Sequence, residues 1–338
     1  MESAIMKAWS IRAGGGIESL ERMDVPLPCA GPGEALVRMT AATLNFHDIV
    51  VAKALLPELI LTAQLIPLSS ATAEVVAVGD GVTGVKPGDR VNPLFGQGWF
   101  AGSEPTHPDQ MLGGTTDGVA REYAAFDADN LVHVPPELSD LEAATLPVAG
   151  LTAWHALHTQ RPVAPGDWVL VQGTGGVSIA ALQWAKAAGA HVVVTSSSDA
   201  KLRRATALGA DITVNYRTTR DWATTVRERA GHGMDLIVNN AGAAELERSA
   251  RLLNEGGIVV AVGMFDGGFG WEREQIGGRK IVPVMIGHRG LHEAVIAFAA
   301  TRAIHPVVDK VFSFERLPDA YRAQEAGRFI GKIGITFL

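Results

Sequence analysis

The chain has 338 residues, a formal charge of −7 and a single cysteine, Cys29. Its length exceeds what one core commonly holds, so two domains are expected, and the lone cysteine excludes intramolecular disulfides and multi-cysteine zinc sites. With 47% hydrophobic and 19% charged residues the chain reads as folded and globular.

The densest basic group, Arg217, Arg220, Arg227 and Arg229, is interleaved with Asp221 and Glu228. Such a mixed helix face gives no footprint for nucleic acid or anionic lipid, so neither is an expected partner. The start, up to Trp9, lacks the apolar run of a signal peptide. The apolar stretch 54–68 is interrupted by Pro57, Glu58, Gln64 and Pro67. A cytoplasmic protein that does not span a membrane is expected.

In chain order, strands are predicted at 34–39, 73–78 and 90–92, the last two separated by the turn-rich run 79–89. This spacing suits a compact β-barrel-like domain. The irregular segment 95–118 carries Trp99 and Phe100, and a loop of that length suits a substrate-pocket wall. Phe265 and Trp271 fall in later loops, and together these aromatics suit an apolar or flat ligand.

After about residue 165 the texture alternates. The apolar strand 168–172 reads as buried on both faces. It is followed by helices at 179–188, 200–208, 221–230 and 245–253, interleaved with strands at 191–195, 212–215, 235–238 and 258–262. A strand at 280–286 and a helix at 291–301 complete a doubly wound parallel sheet of Rossmann type. The tail, 307–338, returns to strand-like texture and is expected to fold back onto the first domain.

Strand 169–172 runs through Gly173-Thr-Gly-Gly-Val-Ser178 into a helix. Strand, glycine turn and helix in that order make a dinucleotide site. Gly173, Gly175 and Gly176 let the backbone approach a pyrophosphate, with Thr174 and Val177 in the same turn, and the helix amides face its charge. At the end of the second strand an NAD enzyme places a carboxylate for the ribose hydroxyls. Here stand Ser196, Ser197 and Ser198, with Lys201 close behind. Hydroxyls and an ammonium suit a 2′-phosphate, so NADPH is the expected cofactor. Asp199 is expected to cap the following helix.

These segments, with Gly150-Leu-Thr-Ala-Trp154, Lys86-Pro-Gly-Asp-Arg-Val91, Ala207-Leu-Gly-Ala-Asp211, Asn215-Tyr216 and Gly331-Lys332, resemble the medium-chain dehydrogenase/reductase superfamily, nearest its zinc-free, quinone oxidoreductase-like branch. The resemblance implies an α/β protein. A GroES-like β-barrel catalytic domain would span 1–125 and 305–338, a Rossmann domain 126–304, and the active site would lie in the cleft between them. It further implies cofactor contacts from Phe46, Thr152, Tyr216, Val262, His288 and Lys332, and a homodimer joined through the apolar outer strand 280–286.

Zinc members of this superfamily hold their metal at places that fall here on Asn45, Ser69 with Ser70, and Val148. None is a strong zinc ligand, and no metal is expected. The resemblance places the turn Leu44-Asn-Phe-His-Asp48 under the nicotinamide. There Asn45 would position cofactor or substrate oxygen, and His47, with an ordinary pKa of about 6.5, would act as general acid. Asp48 is grouped with this site, although tying the turn together is its simpler role. The expected reaction is hydride transfer from NADPH to a quinone, activated alkene or carbonyl. Ser69-Ser-Ala-Thr-Ala73 and Val238-Asn-Asn-Ala-Gly242 depart from the branch's usual segments, which keeps open a redox-inactive or non-redox member of the fold.

Overall fold

The computed structural model describes residues 4–56, 63–158, 162–262, 275–276 and 278–337. It separates into two compact units, Met1–Val148 with His288–Leu338, and Ala149–Gly287.

The first unit opens with β1 (Ile5–Arg12) and β2 (Glu21–Pro26), an antiparallel pair, and continues with β3 (Glu34–Thr43), the helix α1 (Phe46–Lys53) and β4 (Gln64–Leu65), which pairs the far side of β1. Next come β5 (Ala71–Val78), β6 (Arg90–Pro93), β7 (Tyr123–Asp127), β8 (Leu131–His133) and a short helix, α2 (Asp140–Ala143). β3 is the hub of this unit. Its alternate residues Ala35, Val37, Met39 and Ala41 are buried, the period-2 pattern of a strand with one face on a core, and it pairs antiparallel with β5 and β7.

The second unit holds α3 (Leu151–His158), β9 (Trp168–Gln172), α4 (Gly176–Ala187), β10 (His191–Ser196), α5 (Asp199–Ala207), β11 (Ile212–Asn215), α6 (Trp222–Ala230), β12 (Met234–Asn239), α7 (Ala243–Ala250), β13 (Leu253–Val262), β14 (Gln275–Ile276) and β15 (Arg279–Val284). The strand order is β11-β10-β9-β12-β13-β15-β14, parallel throughout except for the β14–β15 hairpin. Val169, Leu170 and Val171 of β9 are fully buried, as a central strand covered on both faces requires. This is the doubly wound α/β architecture expected from the alternating pattern. β13 begins at Leu253, where the sequence suggested the end of a helix; α7 stops at Ala250, with Arg251 as its C-cap.

The chain then returns to the first unit through α8 (Arg289–Thr301), β16 (Val308–Ser313), α9 (Leu317–Glu325) and β17 (Lys332–Thr336). β17 pairs antiparallel with β3 and parallel with β16, so the tail completes the first unit's sheet. α8 packs with this unit: its Arg289 N donates to Trp99 O at 2.9 Å, and the Arg289 guanidinium donates to Asp129 O. Packing therefore divides the chain at 148/149 and 287/288, where the resemblance had suggested 125/126 and 304/305.

Candidate active site

In the first unit, the turn after β3 is fixed by its own side chains. Asn45 is the N-cap of α1 with extended backbone (φ −119°, ψ 162°), and its N–H donates to Asp48 Oδ2 at 2.6 Å. This is the reciprocal arrangement of a capping box, written here as Asn-x-x-Asp. Asn45 Nδ2 donates to Ser69 Oγ at 3.0 Å, and Ser69 Oγ donates to Asp48 Oδ1 at 3.3 Å. From β17, Lys332 Nζ donates to Asn45 Oδ1 and Leu44 O. Asn45, Asp48, Ser69 and Lys332 are all buried, so these bonds form one dry polar network.

Ser69 follows a residue of unusual backbone conformation that neighbouring hydrogen bonds hold in place. The preceding Leu68 is fully buried in the left-handed region (φ 70°), unusual for a branched-chain residue. Its carbonyl accepts from Val119 N at 2.9 Å, and Ala120 N donates to Pro67 O at 2.9 Å.

Burial sets the electrostatics. Desolvation pushes Asp48 up to about 7, opposed by the bond from Asn45 N and the Lys332 charge, and lowers Lys332 to about 7, opposed by Asp48. Burial also lowers His47 to about 4, so at neutral pH it is an uncharged imidazole rather than the titrating acid expected from its sequence. Its Nδ1 lies 4.0 Å from Asp48 Oδ1 without a hydrogen bond, and its ring meets Phe95 edge-on at 5.2 Å. Tyr321 of α9 is fully buried, and the Asp48 charge adds to desolvation in raising its hydroxyl. No sequence pattern marked Tyr321, because only the packing of α9 brings it near Asp48.

In the second unit, the expected cofactor residues gather at the carboxyl edge of the parallel sheet, where ligands of open α/β sheets bind. Gly173 follows β9 at φ 84°, a left-handed conformation that favours glycine. A Cβ on Gly175 would meet nothing within 4 Å, so the turn borders open space just before the amides opening α4. Ser178, in the third glycine's place, donates to Gln172 O at 2.9 Å and ties the helix to the strand. Thr174 is buried, and Val177 is half-buried in the first turn of α4.

Ser196 ends β10, and Tyr216 N donates to Ser196 O at 3.1 Å, so both stand at this edge. Ser198, not Asp199, is the N-cap of α5, accepting from Lys201 N at 3.4 Å. Asp199 instead accepts from Asn215 Nδ2 at 2.7 Å. Ser197 lies in the bend between them. Val262 ends β13, and Thr152 lies buried in α3. Asn239 Nδ2, buried at the end of β12, has no hydrogen-bond partner among the described residues. Open space before a helix N-terminus and an unsatisfied buried amide at the same sheet edge fit a bound dinucleotide phosphate group.

Phe46 is exposed at the start of α1, and His288 is the N-cap of α8 in the first unit. Trp99 is almost fully buried, its Nε1 bonded to Gly102 O at 3.2 Å, which makes it a core residue of its loop, whereas Phe100 is exposed. Phe265 and Trp271 lie outside the described residues. His155 contacts Met285 O at 2.8 Å, and His158 contacts Trp154 O at 2.8 Å while stacking on the Trp154 ring.

The alcohol dehydrogenase GroES-like domain model matches residues 31–136, and the zinc-binding dehydrogenase model matches residues 176–301. A zinc-type alcohol dehydrogenase-like protein of Schizosaccharomyces pombe is 39% identical over 326 residues, 93% of each chain. The chain belongs to the medium-chain dehydrogenase/reductase superfamily. A 2-haloacrylate reductase of a Burkholderia species is 30% identical over 259 residues, 75% of this chain and 72% of its own. A solved NAD-dependent alcohol dehydrogenase superposes with a TM-score of 0.86 at 34% identity, covering 98% of this chain and 100% of its own. These medium-chain relatives are oxidoreductases, and such neighbours imply a nicotinamide cofactor. No described helix is long and apolar enough to cross a membrane.

The superfamily's catalytic zinc does not fit the residues present. Asn45, Ser69, Ser70 and Val148 offer no thiolate, imidazole or carboxylate, and the nearby Asp48 carboxylate is taken up by Asn45 N and Ser69. Among the described residues no group of three His, Cys, Asp or Glu side chains is placed to hold a metal ion.

Proposed function

We propose that this chain is a zinc-independent, NADPH-dependent reductase of the quinone oxidoreductase-like branch, acting on a quinone, activated alkene or carbonyl compound. The observation that carries this reading is the Lys332–Asn45–Ser69–Asp48 network, whose members Asn45 and Ser69 fall, by the resemblance, on positions where zinc members hold their metal, and which offers hydrogen-bonding side chains instead. The bound cofactor supplies a hydride, two electrons with one hydrogen, and a proton from solvent completes reduction of the acceptor. Asn45 orients the acceptor oxygen, and Asp48 holds the turn. His47 keeps a neutral imidazole beside them, a hydrogen-bonding group rather than a charged acid at pH 7. Gly173, Thr174, Gly175, Gly176 and Val177 cradle the pyrophosphate. Phe46, Thr152, Tyr216, Val262 and His288 complete the proposed cofactor contacts, and Lys332 contributes through the turn it bonds.

Steady-state oxidation of NADPH against a panel of quinones, enones and aldehydes tests the reading. Turnover that survives dialysis against a chelator is expected; activity that disappears with bound zinc would sink the metal-independent assignment.

Cofactor choice rests on Ser196, Ser197, Ser198 and Lys201 at the end of β10, and on Asp199 being bonded to Asn215 rather than left for a ribose. NADPH is expected to bind at least about tenfold more tightly than NADH, and Lys201→Ala to cost roughly 1–3 kcal/mol of NADPH binding, the range for a charged hydrogen bond. Equal dissociation constants by titration calorimetry would remove NADPH specificity.

The protein is further proposed to form a homodimer. β14 pairs only Lys280 and Arg279 of β15, and the described residues give 281–284 no outer neighbour. An apolar strand edge of this kind calls for a partner, although Pro283 removes one donor. Light scattering at micromolar concentration should report twice the chain mass; a monomer mass refutes the dimer.

A further inference from the structure

The Asn45 side chain presents an acceptor oxygen and two Nδ2 hydrogens, and the oxygen and one of the hydrogens are engaged. Its carbonyl oxygen accepts from the Lys332 ammonium, and one Nδ2 hydrogen goes to Ser69 Oγ at 3.0 Å. The described residues offer the second Nδ2 hydrogen no acceptor. The amide cannot flip without turning its NH2 onto the Lys332 ammonium and drawing the Ser69 hydroxyl hydrogen away from Asp48, so its orientation is determined. A cation on an amide oxygen draws electron density from the nitrogen and strengthens the remaining N–H as a donor, and burial away from water enlarges the effect. Ser69 Oγ passes its own hydrogen to Asp48, which leaves the oxygen an acceptor for Asn45.

We propose that Lys332 and Asn45 together form the electrophile of this site: Lys332 polarises the Asn45 amide, whose free Nδ2–H donates to the acceptor oxygen as negative charge builds there during hydride transfer. This rests on the reductase reading and adds to it the group that does a zinc ion's work. Asn45 is the catalytic residue, since it touches the acceptor, and Lys332 is a positioning residue that acts through it. The groups facing Lys332 and its partners are Asp48 and His47 from α1 and Tyr321 from α9. Burial shifts Asp48 up and Lys332 down while each favours the other's charged form, so the ammonium on Asn45 is kept by the Asp48 carboxylate. His47 is uncharged, and Tyr321 is a neutral phenol.

The test uses the full-length protein with Lys332→Met, Lys332→Arg and the double variant Asp48→Asn/Lys332→Met. The last removes both charges, so that a folding failure caused by an unpaired Asp48 does not stop the experiment. Loss of a polarised donor should lower kcat about 10²-fold or more in both Met variants, as for removal of one oxyanion donor, with the KM for NADPH little changed. Lys332→Arg keeps a cation on the Asn45 carbonyl and should stay within about tenfold of the parent. The second readout needs no substrate: the Asn45 side-chain N–H signals in asparagine-labelled protein, assigned with Asn45→Asp, should move upfield in both Met variants. Unchanged kcat in the double variant, or Asn45 signals that do not move, overturns the polarised amide. Parent protein that reduces no acceptor sinks the reductase reading and with it the electrophile. Moving Asn45 signals in that protein would leave only the Lys332–Asn45 bond standing.

Discussion

Gly118→Ala should lower the apparent melting midpoint by roughly 6–12 °C, the shift that about 3 kcal/mol produces in a unit of this size. A Cβ at Gly118 would sit 2.0 Å from Leu68 O and 2.6 Å from Pro67 O. Both obstacles are main chain, so no side-chain rotation relieves them. The segment that would have to move is already strained at Leu68 and holds Ser69 against Asn45. Turnover should therefore fall together with stability. Gly84→Ala is the control: its Cβ meets nothing within 4 Å, the position is exposed, and a change within about 0.5 kcal/mol is expected. An alanine at 118 as stable as the parent would mean that the 66–70 segment is softer than its hydrogen bonds imply.

The second unit was largely legible in the sequence, because its signals are local. Continuous apolar strands such as 169–171, helices with their own caps and a glycine turn between strand and helix each declare themselves within about ten residues. The first unit was harder. β1 and β2 were not marked, since Met6, Lys7, Ala8 and Trp9 alternate only weakly, and their pairing is a tertiary choice. The site divides in the same way. Asn45, His47 and Asp48 stand in one readable turn, but Lys332 arrives from β17, nearly three hundred residues later, and its bond to Asn45 follows only from the β17–β3 pairing. The pKa of His47 was also beyond the sequence, because the burial that lowers it comes from packing rather than from its neighbours in the chain. Asp199 shows a smaller failure of local reasoning. An acid beside a helix start suggests a cap, yet Ser198 takes that role and Asn215 engages Asp199.

His292→Leu should stabilise the protein, and more so in acid. His292 lies on α8, fully buried, and neither ring nitrogen has a hydrogen-bond partner among the described residues. Removing an unsatisfied buried polar ring should raise stability by about 1–3 kcal/mol even at pH 8. The acid effect follows from linkage. Burial, with a smaller contribution from the Arg289 charge, holds His292 at about 3, below the unfolded value near 6.5. Below pH 6.5 the unfolded chain takes up a proton that the native chain refuses, so stability falls by about 1.4 kcal/mol per pH unit until the folded pKa is reached. Between pH 6.5 and 5 that amounts to roughly 2 kcal/mol, absent above pH 6.5 and growing as pH falls. His47, held at about 4, adds a second slope of the same sign. Chemical denaturation from pH 8 to 5 should therefore show the His292→Leu advantage widening steadily below pH 6.5, with the His47 slope left behind. A constant advantage across that range would show that His292 is protonated in the folded protein, and that an acceptor lies within reach of its ring.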